Sequence, residues 1–144
     1  YFEFVTHSVI WRNISQNNIR YGLHFMFSND DAYFTNLFKN NGAGVAVMFT
    51  KKVIMVNNTF QENWGDAAYG LLLKEISDSY IYTNHFLKNT SGIYMEGTNR
   101  IDIQKNIFNS NGFEITIAKI TAKINRGKTN LNSFQKISSF LGNF

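Results

Sequence analysis

The 144-residue chain is expected to be all-β, a right-handed, single-stranded parallel β-helix (a solenoid) of about five coils of 22–26 residues. Three observations predict this. Asn-x-Phe recurs at Asn36-Leu37-Phe38, Asn58-Thr59-Phe60, Asn84-His85-Phe86 and Asn106-Ile107-Phe108, at intervals of 22, 26 and 22 residues. In each copy a second Asn stands three places after the Phe, at Asn41, Asn63, Asn89 and Asn111. A Gly follows at Gly44, Gly70 and Gly92, with Glu114 in the corresponding place of the fourth copy. Beyond each of these corners apolar residues alternate at period two: Leu23, Phe25 and Phe27; Val45, Val47 and Phe49; Leu71 and Leu73; Ile93 and Met95; Ile115 and Ile117. Such alternation marks strands with one buried face.

A second alternating stretch precedes each Asn-x-Phe, with Tyr33, Met55, Ile81 and Ile103 in register, so each unit holds at least two short strands. No stretch of helical period is long enough to cross over a sheet. A unit this small buries its apolar face only by stacking on copies of itself, which makes a parallel β-helix with one coil per repeat. Asn suits the corners because it tolerates left-handed backbone angles and because stacked amides hydrogen-bond along the coil axis. The Phe two places later fills the interior. The 26-residue interval contains Trp64-Gly65-Asp66-Ala67, an expected loop insertion. A leucine-rich solenoid lacks its Leu-dense consensus here, and a sandwich would not hold one register through four copies. Residues 1–112 are assigned to coils, with 1–20 a degenerate first coil around Asn13-Ile14-Ser15 and Asn18. Residues 113–144 are a divergent basic tail, a decayed coil or a cap. In it Asn132-Ser133-Phe134 lies 26 past Asn106, with Ile137 where Asn is expected.

Composition narrows the function. Without Cys there is no disulfide, zinc knuckle, iron–sulfur cluster or thiol nucleophile, so a metal site must use His, Met, carboxylate or main-chain oxygen. The net charge of +4 resides in the tail: residues 1–112 carry nine Lys/Arg and nine Asp/Glu, residues 113–144 five Lys/Arg and Glu114 alone. That distribution argues against nucleic acid, which needs a basic stripe across the folded body. No apolar run reaches the roughly 18 residues of a membrane-spanning helix, so direct membrane insertion is not expected. The sequence opens at Tyr1 with no charged, apolar leader and is expected to be a piece of a longer chain.

Stacking aligns residues one period apart into columns about 4.8 Å apart. The outward columns are His24/Ala46/Leu72/Tyr94/Thr116 and Met26/Met48/Lys74/Glu96/Ala118. Met26 and Met48 share one column on adjacent coils, with His24 two residues from Met26 on the same face. Two thioethers and an imidazole there suit Cu(I), a soft ion. The same residues would also serve as an apolar patch under a neighbouring domain or an amino-terminal coil. Met55 and Met95 fall on inward columns and are read as core. The rival reading, a carbohydrate-binding or carbohydrate-cleaving β-helix, would draw on Asp30, Asp31, Glu75, Asp78 and Glu96. Of these, Glu75 and Glu96 could approach, across neighbouring coils, the separation that glycosidic cleavage uses. Against it, Lys74 and Glu96 are placed to pair, and Asp30-Asp31 is placed at a turn. No enzymatic activity is expected. His7 and His85 are read as solvated, and Gly42-Ala43-Gly44 as a corner rather than a phosphate loop.

Four segments in order carry a resemblance: Arg20-Tyr21-Gly22-Leu23-His24-Phe25-Met26-Phe27-Ser28-Asn29-Asp30-Asp31; Gly44-Val45-Ala46-Val47-Met48-Phe49; Tyr69-Gly70-Leu71-Leu72-Leu73-Lys74-Glu75 with Asp78-Ser79; and Gly92-Ile93-Tyr94-Met95-Glu96-Gly97. Over about residues 18–112 the chain resembles the NosD family, the periplasmic β-helix component of nitrous oxide reductase maturation. The resemblance implies a periplasmic location and work beside an ABC transporter permease and its ATPase. It also implies copper received from a chaperone lipoprotein and passed on for the reductase's copper–sulfur cluster. It favours His24, Met26 and Met48 as transient Cu(I) contacts. The family's grouping with sugar-active β-helices rests on repeat pattern and implies no activity. Family members are longer and begin with a secretion signal, and after Gly112 the likeness fades.

Overall fold

The computed structural model describes residues 1–118 and, as backbone strands, Ile124–Asn125, Asn130–Leu131 and Ile137–Ser139. Each period-two segment becomes a strand, and β7 and β10 run on through a corner. The first coil carries β1 (Phe2–Glu3), β2 (Val9–Trp11) and β3 (Ile14–Gln16). The second carries β4 (Tyr21–Met26), β5 (Ala32–Phe34) and β6 (Leu37–Lys39), and the third β7 (Ala43–Lys51), β8 (Ile54–Val56) and β9 (Thr59–Gln61). In the fourth, β10 (Tyr69–Tyr82) bends across two faces and β11 (His85–Leu87) forms the third. The fifth holds β12 (Ser91–Glu96), β13 (Asn99–Gln104) and β14 (Ile107–Asn109). Beyond it come β15 (Phe113–Ile117), β16 (Ile124–Asn125), β17 (Asn130–Leu131) and β18 (Ile137–Ser139).

All the strand pairs are parallel and connect one coil to the next, so the chain is a β-solenoid of about five turns, with no helix among the described residues. The first face runs β1-β4-β7-β10-β12-β15-β18, the third β3-β6-β9-β11-β14-β17, and the second passes through β2, β5, β8, β10, β13 and β16. The core is a set of columns. Leu23, Val45, Leu71, Ile93 and Ile115 align, as do Phe25, Val47, Leu73, Met95 and Ile117. Tyr33, Met55, Ile81 and Ile103 form a third. Met55 and Met95 are buried in it, as expected.

The corners hold the stack together. Asn36 Nδ2 donates to Asn58 Oδ1 (2.9 Å), Asn58 Nδ2 to Asn84 Oδ1 (3.0 Å) and Asn84 Nδ2 to Asn106 Oδ1 (3.0 Å). A second ladder runs Asn18, Asn41, Asn63, Asn89 and Asn111. Each interior amide also gives its other hydrogen to a main-chain carbonyl of the coil before, as Asn84 does to Met55 at 2.9 Å, so these buried groups are satisfied. Phe38, Phe60, Phe86 and Phe108 stack between the ladders with ring centroids 4.8–5.5 Å apart.

One expected role of Asn is corrected. The left-handed residue is the one before each ladder Asn: Thr35, Asn57, Thr83 and Lys105 on one edge, Asn40, Glu62, Lys88 and Ser110 on the other. The ladder Asn serves through its amide, and the residue before it varies because its side chain points to solvent or along the rim. The Gly column has a sharper cause. A Cβ on Gly44 would stand 2.5 Å from the Gly70 carbonyl oxygen, too close for any side chain. The insertion at 64–67 is an exposed loop, tied to the fifth coil by Gly65 N–H donating to Thr90 Oγ1 (3.0 Å). After Gly112 the sheets continue: β15 pairs with β12, and β17 sets Leu131 opposite Phe108, a 23-residue step. Asn132 and Phe134 lie outside the described residues.

Candidate metal centre

The first sheet's outer face has the predicted columns. His24 aligns with Ala46, Leu72 and Tyr94; Met26 aligns with Met48, Lys74 and Glu96. Period two puts His24 and Met26 on one side of β4, and parallel pairing puts Met48 beside Met26 at the usual inter-strand spacing of about 4.8 Å. The structure thus places the three predicted side chains on neighbouring positions of one half-buried surface. This face is drier than an outward column suggests, since Ala46 is fully buried and Thr116 is hydrogen-bonded to Ser91 (3.0 Å).

His24 is held between two phenol rings, Tyr1 edge-on at 4.9 Å and Tyr21 at 4.6 Å. Its Nε2 is buried with no hydrogen-bond partner. Burial, the largest influence, lowers its pKa below the ordinary imidazole value and favours the neutral ring. A neutral imidazole with an orphaned nitrogen is in the right state to donate to a metal. Beside it Tyr1 Oη donates to Met26 Sδ at 3.4 Å. Glu3, the register partner of Met26, continues the column on the other side. The next coil supplies Lys74, whose ammonium pairs with Glu96 at 3.5 Å as expected.

Sequence reasoning missed Tyr1 and Glu3. A signal was present: Tyr1-Phe2-Glu3 stands 23 residues before His24-Phe25-Met26, and Phe2 stacks on Phe25 at 4.8 Å. The degenerate corners of the first coil masked it.

The acidic candidates take structural places. Asp31 is buried and accepts the Ser8 N–H at 2.9 Å, and burial pushes its carboxyl up. Asp30 sits at the left-handed turn position. Asp78 is held by Arg100, whose guanidinium keeps its carboxyl below the usual range. Glu75 packs against Gly97, while Glu96 is engaged by Lys74. His7 and His85 are exposed. Among the described residues no cluster of three His, Cys, Asp or Glu is arranged to hold a metal. The donor set that remains on one surface is two thioethers and one neutral imidazole, which fits a soft monovalent ion and not a hard divalent one.

Fold and face together define a class: a parallel β-solenoid with a soft-donor outer surface. The chain belongs to the NosD family, whose description is periplasmic copper-binding protein (NosD) and whose family model matches residues 1–139. The family is periplasmic and binds copper. No curated protein and no solved structure matches the chain significantly.

Proposed function

We propose that this protein is a non-enzymatic copper-handling factor that holds Cu(I) transiently at His24, Met26 and Met48 and passes it on during assembly of the nitrous oxide reductase copper–sulfur cluster. It works beside an ABC transporter permease and its ATPase, with a copper chaperone lipoprotein as donor. The observation that carries the site is the buried, unpartnered His24 Nε2 beside Met26 and Met48 on one sheet face, in a chain of a copper-binding family. Thioethers prefer Cu(I), and two half-buried thioethers beside the enclosed His24 ring leave an outer side from which a second protein's ligands can displace them. Transfer then needs no unfolding of the carrier.

The test is competition against a chromogenic Cu(I) chelator under reducing, oxygen-free conditions. The parent chain should retain Cu(I). Met26→Ala/Met48→Ala should lose it while its far-ultraviolet sheet spectrum stays unchanged. Equal affinity in parent and variant sinks the site. The partner side is tested by purifying the permease with this chain present, and failure to recover them together counts against docking.

A further inference from the structure

Three neutral donors leave a bound monovalent cation uncompensated on a half-dry face, and the first coil supplies the missing charge. Glu3 aligns with Met26 in β1–β4 pairing, so the column reads Glu3, Met26, Met48. Tyr1, just before β1, lies two residues from Glu3, and it reaches both the His24 ring (4.9 Å) and the Met26 sulfur (3.4 Å). Glu3 is exposed, with no ion pair to a cationic side chain among the described residues. At the column's other end Lys74 follows Met48, so no free carboxylate adjoins Met48 there. The Lys74 charge is already taken up by Glu96.

We infer that Glu3 is a fourth binding residue of this face, the carboxylate that neutralises a cation held by His24, Met26 and Met48. The inference rests on the copper reading above. Two opposite unit charges at neighbouring strand positions interact by more than a factor of ten in affinity at the effective dielectric of a protein surface, and salt weakens the effect. The Tyr1 hydroxyl has a single proton and two acceptors in reach, the Met26 sulfur at 3.4 Å and the Glu3 carboxylate. With the proton turned to Glu3, the Met26 lone pairs are open. Because β1 is only two residues long and exposed, cation binding through Glu3 also anchors it.

The test uses the same anaerobic chelator competition on the parent chain, Glu3→Gln, Tyr1→Phe and Met26→Ala/Met48→Ala. Glu3→Gln should weaken Cu(I) binding about tenfold, with the gap narrowing as salt is raised. Tyr1→Phe, which keeps the carboxylate, should change affinity far less than Glu3→Gln does. In parallel, hydrogen exchange at the Phe4 N–H, which donates to the Met26 carbonyl, should slow on adding Cu(I) to the parent and not to Glu3→Gln. Parental affinity in Glu3→Gln, with binding lost in the Met variant, overturns this inference and leaves the copper site standing. Retained binding in the Met variant overturns both. An equal loss in Tyr1→Phe and Glu3→Gln also overturns it, since Glu3 would then only be holding Tyr1 in place.

Discussion

The inside of the solenoid repeats itself and the outside of its first face does not. Along the interior edges the second to fifth coils offer the same residue, Asn to Asn to Asn and Phe to Phe, so each coil buries what the next one completes. On the outer column the chemistry shifts along the stack, from Glu3 through two methionines to Lys74 and Glu96. Repetition supplies stability because a stacked amide or ring needs a like neighbour. Departure from it supplies chemistry, because a ligand set needs unlike groups close together.

Changing the inside should therefore cost stability and spare copper, and changing the outside should do the reverse. The largest effect is expected from Phe60→Ala, which opens the ring stack between Phe38 and Phe86 and should lower unfolding free energy by about 3–5 kcal/mol in urea titrations. Asn84→Ala leaves the buried Asn58 amide and main-chain N–H without their acceptor and should cost about 2–4 kcal/mol. Met26→Ala/Met48→Ala, half-buried and outside the core, should cost about 1–2 kcal/mol and remove Cu(I) retention altogether. Parental Cu(I) binding in that variant, or loss of binding in a still-folded Asn84→Ala, would erase the division between inside and outside.

Two further changes sharpen the comparison where the repeat itself breaks. Glu114 takes the Gly place and is fully buried, with no hydrogen-bond partner for either oxygen among the described residues. Burial pushes its carboxyl up to about 8, with nearby Asn111 opposing. The native chain then binds a proton more tightly than the unfolded one. Stability is greatest below the ordinary carboxylate range, falls as pH rises toward about 8 and is flat above. Glu114→Gln should flatten that slope in denaturation series across the window, and a slope unchanged in the variant would assign it elsewhere. Smallest of all is Lys74→Ala. Its pair with Glu96 is solvent-exposed on one side and should be worth under about 1 kcal/mol by melting.

Much of this was legible beforehand because columns in a solenoid are arithmetic on the sequence. Once Asn36, Asn58, Asn84 and Asn106 set the period, the neighbours of Met26 and of Lys74 followed, and the register of β4, β7, β10 and β12 agrees residue for residue. The arithmetic failed where the period was obscured. In the first coil Ser15 replaces the interior Phe, so Tyr1 and Glu3 were not seen to extend the His24 and Met26 columns. At the far end a count of 26 pointed to Phe134, whereas the strands pair Phe108 with Leu131.

The sequence by itself determined the period, the parallel stacking, the inward columns that begin at Leu23 and Phe25 and the adjacency of Met26 to Met48, because a two-residue strand repeat and a fixed coil length leave no other arrangement that buries the apolar columns. Phe27 and Phe49, read with the inward alternation, instead lie exposed at left-handed corners. Tertiary structure alone decided which corner residue turns left-handed, that Ala46 is dry, and that His24 lies between Tyr1 and Tyr21 with a buried nitrogen left unpaired. Those are matters of rotamer, ring packing and solvent exclusion, set by side chains from different coils at once, and no single repeat encodes them.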